Sequence, residues 1–163
     1  MILDQIAADT RLRVEAKKKE ISLEEVKRNA QSMEKNTGFP FEMALRKPDL
    51  SFICEVKKAS PSKGIIAEEF PYLQIAKEYD EAGADAISWL TEPKYFLGKD
   101  EYLKAIAKEV KIPVLRKDFV VDEYQIYEAK ILGASAVLLI CAILEEEQLK
   151  VYLQIAKELG LSA

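Results

Sequence analysis

Residues 72–90 read YLQIAKEYDEAGADAISWL, and two parts of that stretch return later in the chain. Tyr72–Glu78, YLQIAKE, is repeated letter for letter at Tyr152–Glu158, and Gly83-Ala84-Asp85-Ala86 is echoed by Gly133-Ala134-Ser135-Ala136. Each element is a helical pattern, or the glycine placed to end one, feeding a β-rich run. Similar helices feeding similar strands predict successive βα units rather than one irregular domain.

Reading outward, β-rich runs at Ser51–Val56, Ala86–Thr91, Pro113–Arg116 and Ala136–Ile140 alternate with helical patterns at Pro71–Ala82, Glu101–Glu109, Glu123–Leu132 and Glu145–Leu159. The runs are rich in Ile, Val and Leu with little polar alternation, which suits a parallel sheet covered by helices. Asp122 followed by Gln125 has the form of a capping box, and Gly83, Gly133 and Gly160 stand where C′ glycines belong. The fold class expected is α/β: the N-terminal half of a (β/α)8 TIM barrel, about four βα units. A closed barrel takes twice as many units and about 250 residues.

Residues 1–48 have a different character and are expected to form an N-terminal helical extension, with 49–163 the half-barrel. Ile2–Lys19 reads as an amphipathic helix whose basic run, Arg11–Lys19, is expected to be a solvated face. Ser22 and Glu25 open a second helix through about Ala30, and Phe39-Pro40-Phe41 supplies a turn and a short segment to Leu45. Such an extension cannot bury its own apolar face and must pack on something else. Leu161-Ser162-Ala163 falls where a fifth strand would start, so the half-barrel is expected to be truncated before strand five, with an open sheet edge.

The 163 residues carry a net charge of −4, which offers no basic field for a nucleic acid or an anionic membrane. No apolar run approaches the roughly 20 residues of a membrane helix. Cys54 and Cys141 lack CxxC spacing and the chain has no His, against the common zinc patterns. Both are expected to be buried thiols in a reducing cytoplasm. Without His, acid–base chemistry must run on Lys, Glu, Asp or Tyr.

The residue types for such chemistry stand at strand ends. Alternation puts Glu55 and Lys57 on one face of the first strand, together at its C-terminal end, where barrel enzymes keep their sites. A carboxylate and an ammonium there can hold each other charged while one binds an anion. The following Ser60-Pro61-Ser62-Lys63-Gly64 turn adds hydroxyl and amide donors. On the third strand one of Arg116 and Lys117 must point inward and the other outward. An inward Lys117 can act as a general acid or form a Schiff base, and spacing alone does not choose. Phe96, in the loop after the second strand, and Phe119 can wall an aromatic ligand.

FICEVKKASPSKG, LTEPKYF-x-G, PVLRKDF followed by DEYQIYEA, and GASAVLLI stand in the order and spacing of indole-3-glycerol phosphate synthases, and the extension is similar too. The chain resembles the N-terminal part of that family. The resemblance implies a lyase of tryptophan biosynthesis that closes the ring of 1-(2-carboxyphenylamino)-1-deoxyribulose 5-phosphate with loss of carbon dioxide and water, using no cofactor or metal. It implies Lys117 as general acid, Lys57 on the anthranilate carboxylate, Glu55 as its partner and proton relay, and Ser60 near the ligand's anionic end. It implies Phe96 and Phe119 around the anthranilate ring, with Leu138 to Ile140 as strand-four wall.

Two departures qualify the match. Trp89 stands where a smaller aliphatic residue is expected, and an inward Trp89 would crowd the pocket. The family's second Glu on strand five, Asn on strand six, Glu-Ser pair on strand seven and phosphate-binding turns after strands seven and eight are not among residues 1–163, so these residues alone are expected to be inactive. An assembly role is the rival reading, with a homodimer or a complementary C-terminal half-barrel covering the open face. A phosphoribosylanthranilate isomerase or a lysine aldolase fits the Glu55, Lys57 and Lys117 pattern less well.

Overall fold

In a computed structural model, which describes residues 1–66 and 69–163, three helices precede the sheet: α1 (Ile2–Glu20), α2 (Leu23–Gln31) and α3 (Pro40–Leu45). Then β1 (Ile53–Val56), α4 (Tyr72–Glu81), β2 (Ala86–Leu90), α5 (Asp100–Glu109), β3 (Val114–Lys117), α6 (Tyr124–Leu132), β4 (Ala136–Val137) and α7 (Glu146–Glu158) follow in strict alternation. The four strands make one parallel sheet in chain order. This is the α/β architecture of four consecutive barrel units. A two-stranded hairpin, Ala59–Ser60 with Gly64–Ile65, follows β1.

Register divides the sheet into two faces. Val56 pairs with Trp89 and Trp89 with Arg116 on the side that meets the helices, while Glu55 pairs with Ser88 and Ser88 with Leu115 on the other. Trp89 is 1% exposed among Phe70, Tyr72 and Tyr102, and its Nε1 donates to the Lys99 carbonyl at 3.1 Å. It therefore leaves the inner face clear. One core runs from Val56, Ile87 and Val114 through Leu103, Ile106 and Ile126 to Val14, Val26 and Ala30 of the first two helices. The extension buries its apolar stripe against the barrel helices, as a face too small to be a core of its own must. Helix α3 covers the opposite face, where Phe41 and Leu45 meet Ala86, Leu115 and Ala136.

Ser162 forms a parallel bridge to Ala136, giving its N–H to the Ser135 carbonyl and accepting from Val137 N, both at 3.0 Å. The ladder thus continues where a fifth strand was expected. The turn before it admits only glycine: Gly160 has φ 70°, and a Cβ there would lie 2.2 Å from the Lys35 carbonyl oxygen.

Four expectations need correction. Strand β4 stops at Val137 rather than Ile140, because beyond it the chain leaves the ladder and turns through Cys141–Ile143. Cys141, at the start of that turn, is exposed rather than buried, and Cys54 is only half-buried. The Asp122 box is shifted: Asp122 accepts from Tyr124 N at 2.9 Å, while Gln125 Oε1 accepts from Val121 N at 2.9 Å. Finally, the basic run of α1 is a solvated face only in part: Arg11 and Lys19 are exposed, but Arg13, Lys17 and Lys18 turn toward carboxylates of the barrel. Among the described residues no helix is long and apolar enough to cross a membrane.

Candidate active site

The inner face ends, at the carboxyl rim of the sheet, in three charged side chains. Glu55 on β1 accepts from Lys57 Nζ through Oε1 at 2.6 Å and from Lys117 Nζ through Oε2 at 2.5 Å. Lys57 reaches Glu55 because alternation returns it to the same face. Lys117 comes from β3, two strands away, and meets Glu55 by extending over β2. Burial by itself raises the Glu55 pKa, but the hydrogen bonds from Lys117 and Lys57 outweigh it and hold the carboxyl below its ordinary value. One carboxylate thus faces two ammonium groups, about a third exposed, with hydrogens left over for an incoming anion.

Arg116, the neighbour of Lys117, points the other way. It is 1% exposed, and its guanidinium donates to Thr91 Oγ1 (3.2 Å), the Gln125 carbonyl (2.9 Å), Asp100 (3.0 Å) and Glu128 (2.7 Å). Burial alone disfavours its charge, yet the surrounding carboxylates raise its pKa further. The choice left open by sequence is therefore settled: Lys117 faces inward and Arg116 the helix layer.

Phe96 and Phe119 meet with ring centroids 6.0 Å apart and planes tilted by 33°. Two buried carboxylates that sequence reasoning missed hold them. Glu92 accepts from the backbone N–H groups of Lys94, Tyr95 and Phe96 at 2.9, 2.6 and 3.1 Å, folding the loop around itself. Asp118 accepts from Phe119 N at 2.8 Å, from Thr91 Oγ1 at 2.9 Å and, through both oxygens, from Arg13 Nη2 at 2.8 and 2.9 Å. The signal for each was an acidic residue just past a strand, where unpaired N–H groups gather. The same loop needs Gly98, since a Cβ there would stand 2.1 Å from the Leu90 carbonyl oxygen. Ser88 was also missed. Its buried hydroxyl, between Glu55 and Leu115 in the ladder, has no hydrogen-bond partner.

The remaining two expected residues stand apart. Ser60 lies in the hairpin after β1, where its Oγ accepts from Lys63 N at 3.3 Å, and no hydrogen bond joins it to the trio. Leu138 is half-buried and lines a separate cavity of about 310 Å³ between α3 and the sheet, with Phe41, Leu45, Ile53 and Leu115.

The sequence model of a family described as indole-3-glycerol phosphate synthase matches residues 3–163. Among curated relatives, the chain is 59% identical over 162 residues to an indole-3-glycerol phosphate synthase of Ruminiclostridium cellulolyticum, covering 99% of this chain and 62% of that protein. It is 54% identical to one of Endomicrobium trichonymphae, over 99% of this chain and 63% of the relative. It is 52% identical to one of Lacticaseibacillus casei, over 100% of this chain and 63% of the relative. The chain therefore spans a little over three fifths of the length of the relatives it matches.

Proposed function

The chain belongs to the indole-3-glycerol phosphate synthase family, and from that membership we propose that residues 1–163 supply the acid and the carboxylate grip of the ring closure that makes indole-3-glycerol phosphate. The observation that carries this reading is the Glu55–Lys57–Lys117 trio. Its positive excess suits a substrate whose reacting end bears a carboxylate, and the phenylalanine pair suits the aromatic ring that carries it.

In this reading Lys57 holds the anthranilate carboxylate, and Lys117 aims a proton at the ribulose ketone. The ring carbon bearing the carboxylate attacks the ketone carbon, and the ketone oxygen takes the Lys117 proton. The carboxylate then leaves as carbon dioxide, its bonding pair restoring the aromatic ring. The new hydroxyl departs as water with a proton from Lys57 passed through its relay Glu55, and the carbon-bound proton whose loss completes the indole goes to Lys117, neutral since the first step. Glu55 holds both lysines by hydrogen bonds until the ligand's own anion competes for them. The half-barrel's location in this proposal is the cytoplasm, and its substrate is a phosphorylated small molecule.

A chimera tests the assignment: residues 1–163 replace the matching part of the Ruminiclostridium relative, and turnover is followed by indole fluorescence. The parent chimera should be active and Lys117→Ala should lower kcat by about 100-fold or more. Unchanged kcat would end the general-acid role, and borohydride trapping at Lys117 would move the reading to an aldolase. Residues 1–163 by themselves are expected to show negligible turnover.

A second reading has its own observation. The outer edge of β1 and the start of a strand at Ser162 both lack a lateral neighbour among the described residues, and Leu50, Phe52 and Ile53 are exposed beside the first. Edges of this kind invite pairing, either with a second copy or with a polypeptide carrying further barrel strands. Light scattering showing a compact monomer would contradict the first of these.

A further inference from the structure

Helix α1 crosses the carboxyl rim of the sheet and is tied to both segments that carry the aromatic pair. Asp9 Oδ2 accepts from Lys94 Nζ at 2.7 Å and from Tyr95 Oη at 2.6 Å, in the loop that holds Phe96. One turn on, Arg13 makes its two bonds to Asp118, the residue whose carboxylate also fixes the Phe119 N–H. The second tie is buried at the barrel end: Asp118 is fully shielded, and Arg13 is 20% exposed. A third lies farther along, where Lys17 bridges Asp100 and Glu128, the carboxylates that also hold Arg116. A helix is stiff over one turn, so fixing Asp9 and Arg13 fixes the two phenylalanine segments relative to each other.

We propose that α1 is the specificity element for the aromatic end of the ligand: Asp9 and Arg13, through their bonds to the two rim segments, set the spacing and tilt of Phe96 against Phe119 and hence which planar aromatic acid packs on the slot wall that the two touching rings make. This rests on the reading of that pair as a slot for an aromatic carboxylate. Asp9 and Arg13 are positioning residues, and α1 acts as a ruler laid across the mouth. The helix faces the barrel with Arg13, Lys17 and Lys18, each paired with a carboxylate of the barrel.

The test uses residues 1–163 with anthranilate as probe, benzoate as comparison, and the nuclear Overhauser cross-peak between the Phe96 and Phe119 rings as the geometric readout. Asp9→Asn removes the charge of the surface tie and Tyr95→Phe one of its donors, and Arg13→Lys keeps the charge of the buried tie but loses the guanidinium Nη2 that bridges both Asp118 oxygens. Each should weaken anthranilate binding by about 3- to 10-fold, narrow the preference over benzoate and weaken the ring cross-peak, with Asp9→Asn and Tyr95→Phe no worse together than singly. Thermal melts separate these effects from unfolding, and Asp9→Asn, at a half-buried position, serves if Arg13→Lys does not fold. If Phe119→Ala abolishes binding while Asp9→Asn and Arg13→Lys leave affinity and cross-peak unchanged, the ruler is overturned and the slot stands. If the parent takes no anthranilate, or Phe119→Ala does not weaken it, the slot reading is overturned. The cross-peak, read without ligand, still decides whether α1 sets the spacing.

Discussion

Arg116 and Lys117 are adjacent on one strand and carry the same charge, yet they sit in opposite kinds of surroundings. Arg116 lies in a closed network in which it, Lys17 and Arg13 face Asp100, Asp118 and Glu128, three cations against three carboxylates. Lys117 and Lys57 share the single carboxylate of Glu55, at a rim open to solvent. A balanced, buried network has nothing left to offer a ligand and serves to fix the helix layer and the extension to the sheet. An unbalanced, half-exposed one is stable enough to stay folded and still has donors to give. The alternation of a strand is what allows one dipeptide to serve both ends.

The largest expected break in this contrast comes from Arg116→Ala. It removes the fully buried cation that Asp100, Asp118 and Glu128 share, leaving the three to Lys17 and Arg13, and should cost about 3–5 kcal/mol in urea unfolding, whereas Lys117→Ala should cost under about 1 kcal/mol because its pair is solvated. Equal losses would mean that the two clusters do the same job. Next in size is Gly98→Ala, whose methyl collides with the Leu90 backbone. Overpacking of that kind costs about 1–3 kcal/mol, and the loop shift should show as altered Phe96 and Phe119 ring resonances while those of Ile106 and Ile126 stay put.

The smallest effect is on acid stability. The Glu55 carboxyl is depressed in the folded chain, so its contribution is complete above the ordinary glutamate range and is lost as pH falls through the lowered value. Glu55→Gln should therefore lower stability slightly at neutral pH and flatten the acid limb, so that the two curves converge as pH falls. A variant curve parallel to the parent's at low pH would show that the lysines do not stabilise the charged carboxyl.

Much of this arrangement was legible in the letters. The alternation of Glu55 and Lys57 placed them together at a strand end, and the phase shared by Leu115 and Lys117 narrowed the third strand to two options. The glycines at positions 83, 133 and 160 marked helix ends that the structure bears out with positive φ. The charges of α1 were the opposite case. Arg13 finds Asp118 at a separation of 105 residues and Lys17 finds Glu128 at 111, and no local pattern distinguishes such a cation from one facing water. Glu92 was missed for a different reason: apart from its place just past a strand, nothing marks it, because its partners are backbone N–H groups, which every sequence has. Leu138 came from resemblance alone and Ser60 from resemblance and a donor-rich turn, and among the described residues neither joins the charged trio.

The most direct trial of the open-versus-closed contrast is a titration of residues 1–163 with anthranilate, observing the ε-carbon resonances of ¹³C-labelled lysine and the Nε–H of Arg116 together. Lys57 and Lys117 should move in a saturable way with one common affinity while Arg116 stays fixed. Stationary lysines, or an Arg116 signal that moves with them, would contradict the claim that one side of this strand receives an anion and the other only holds the fold.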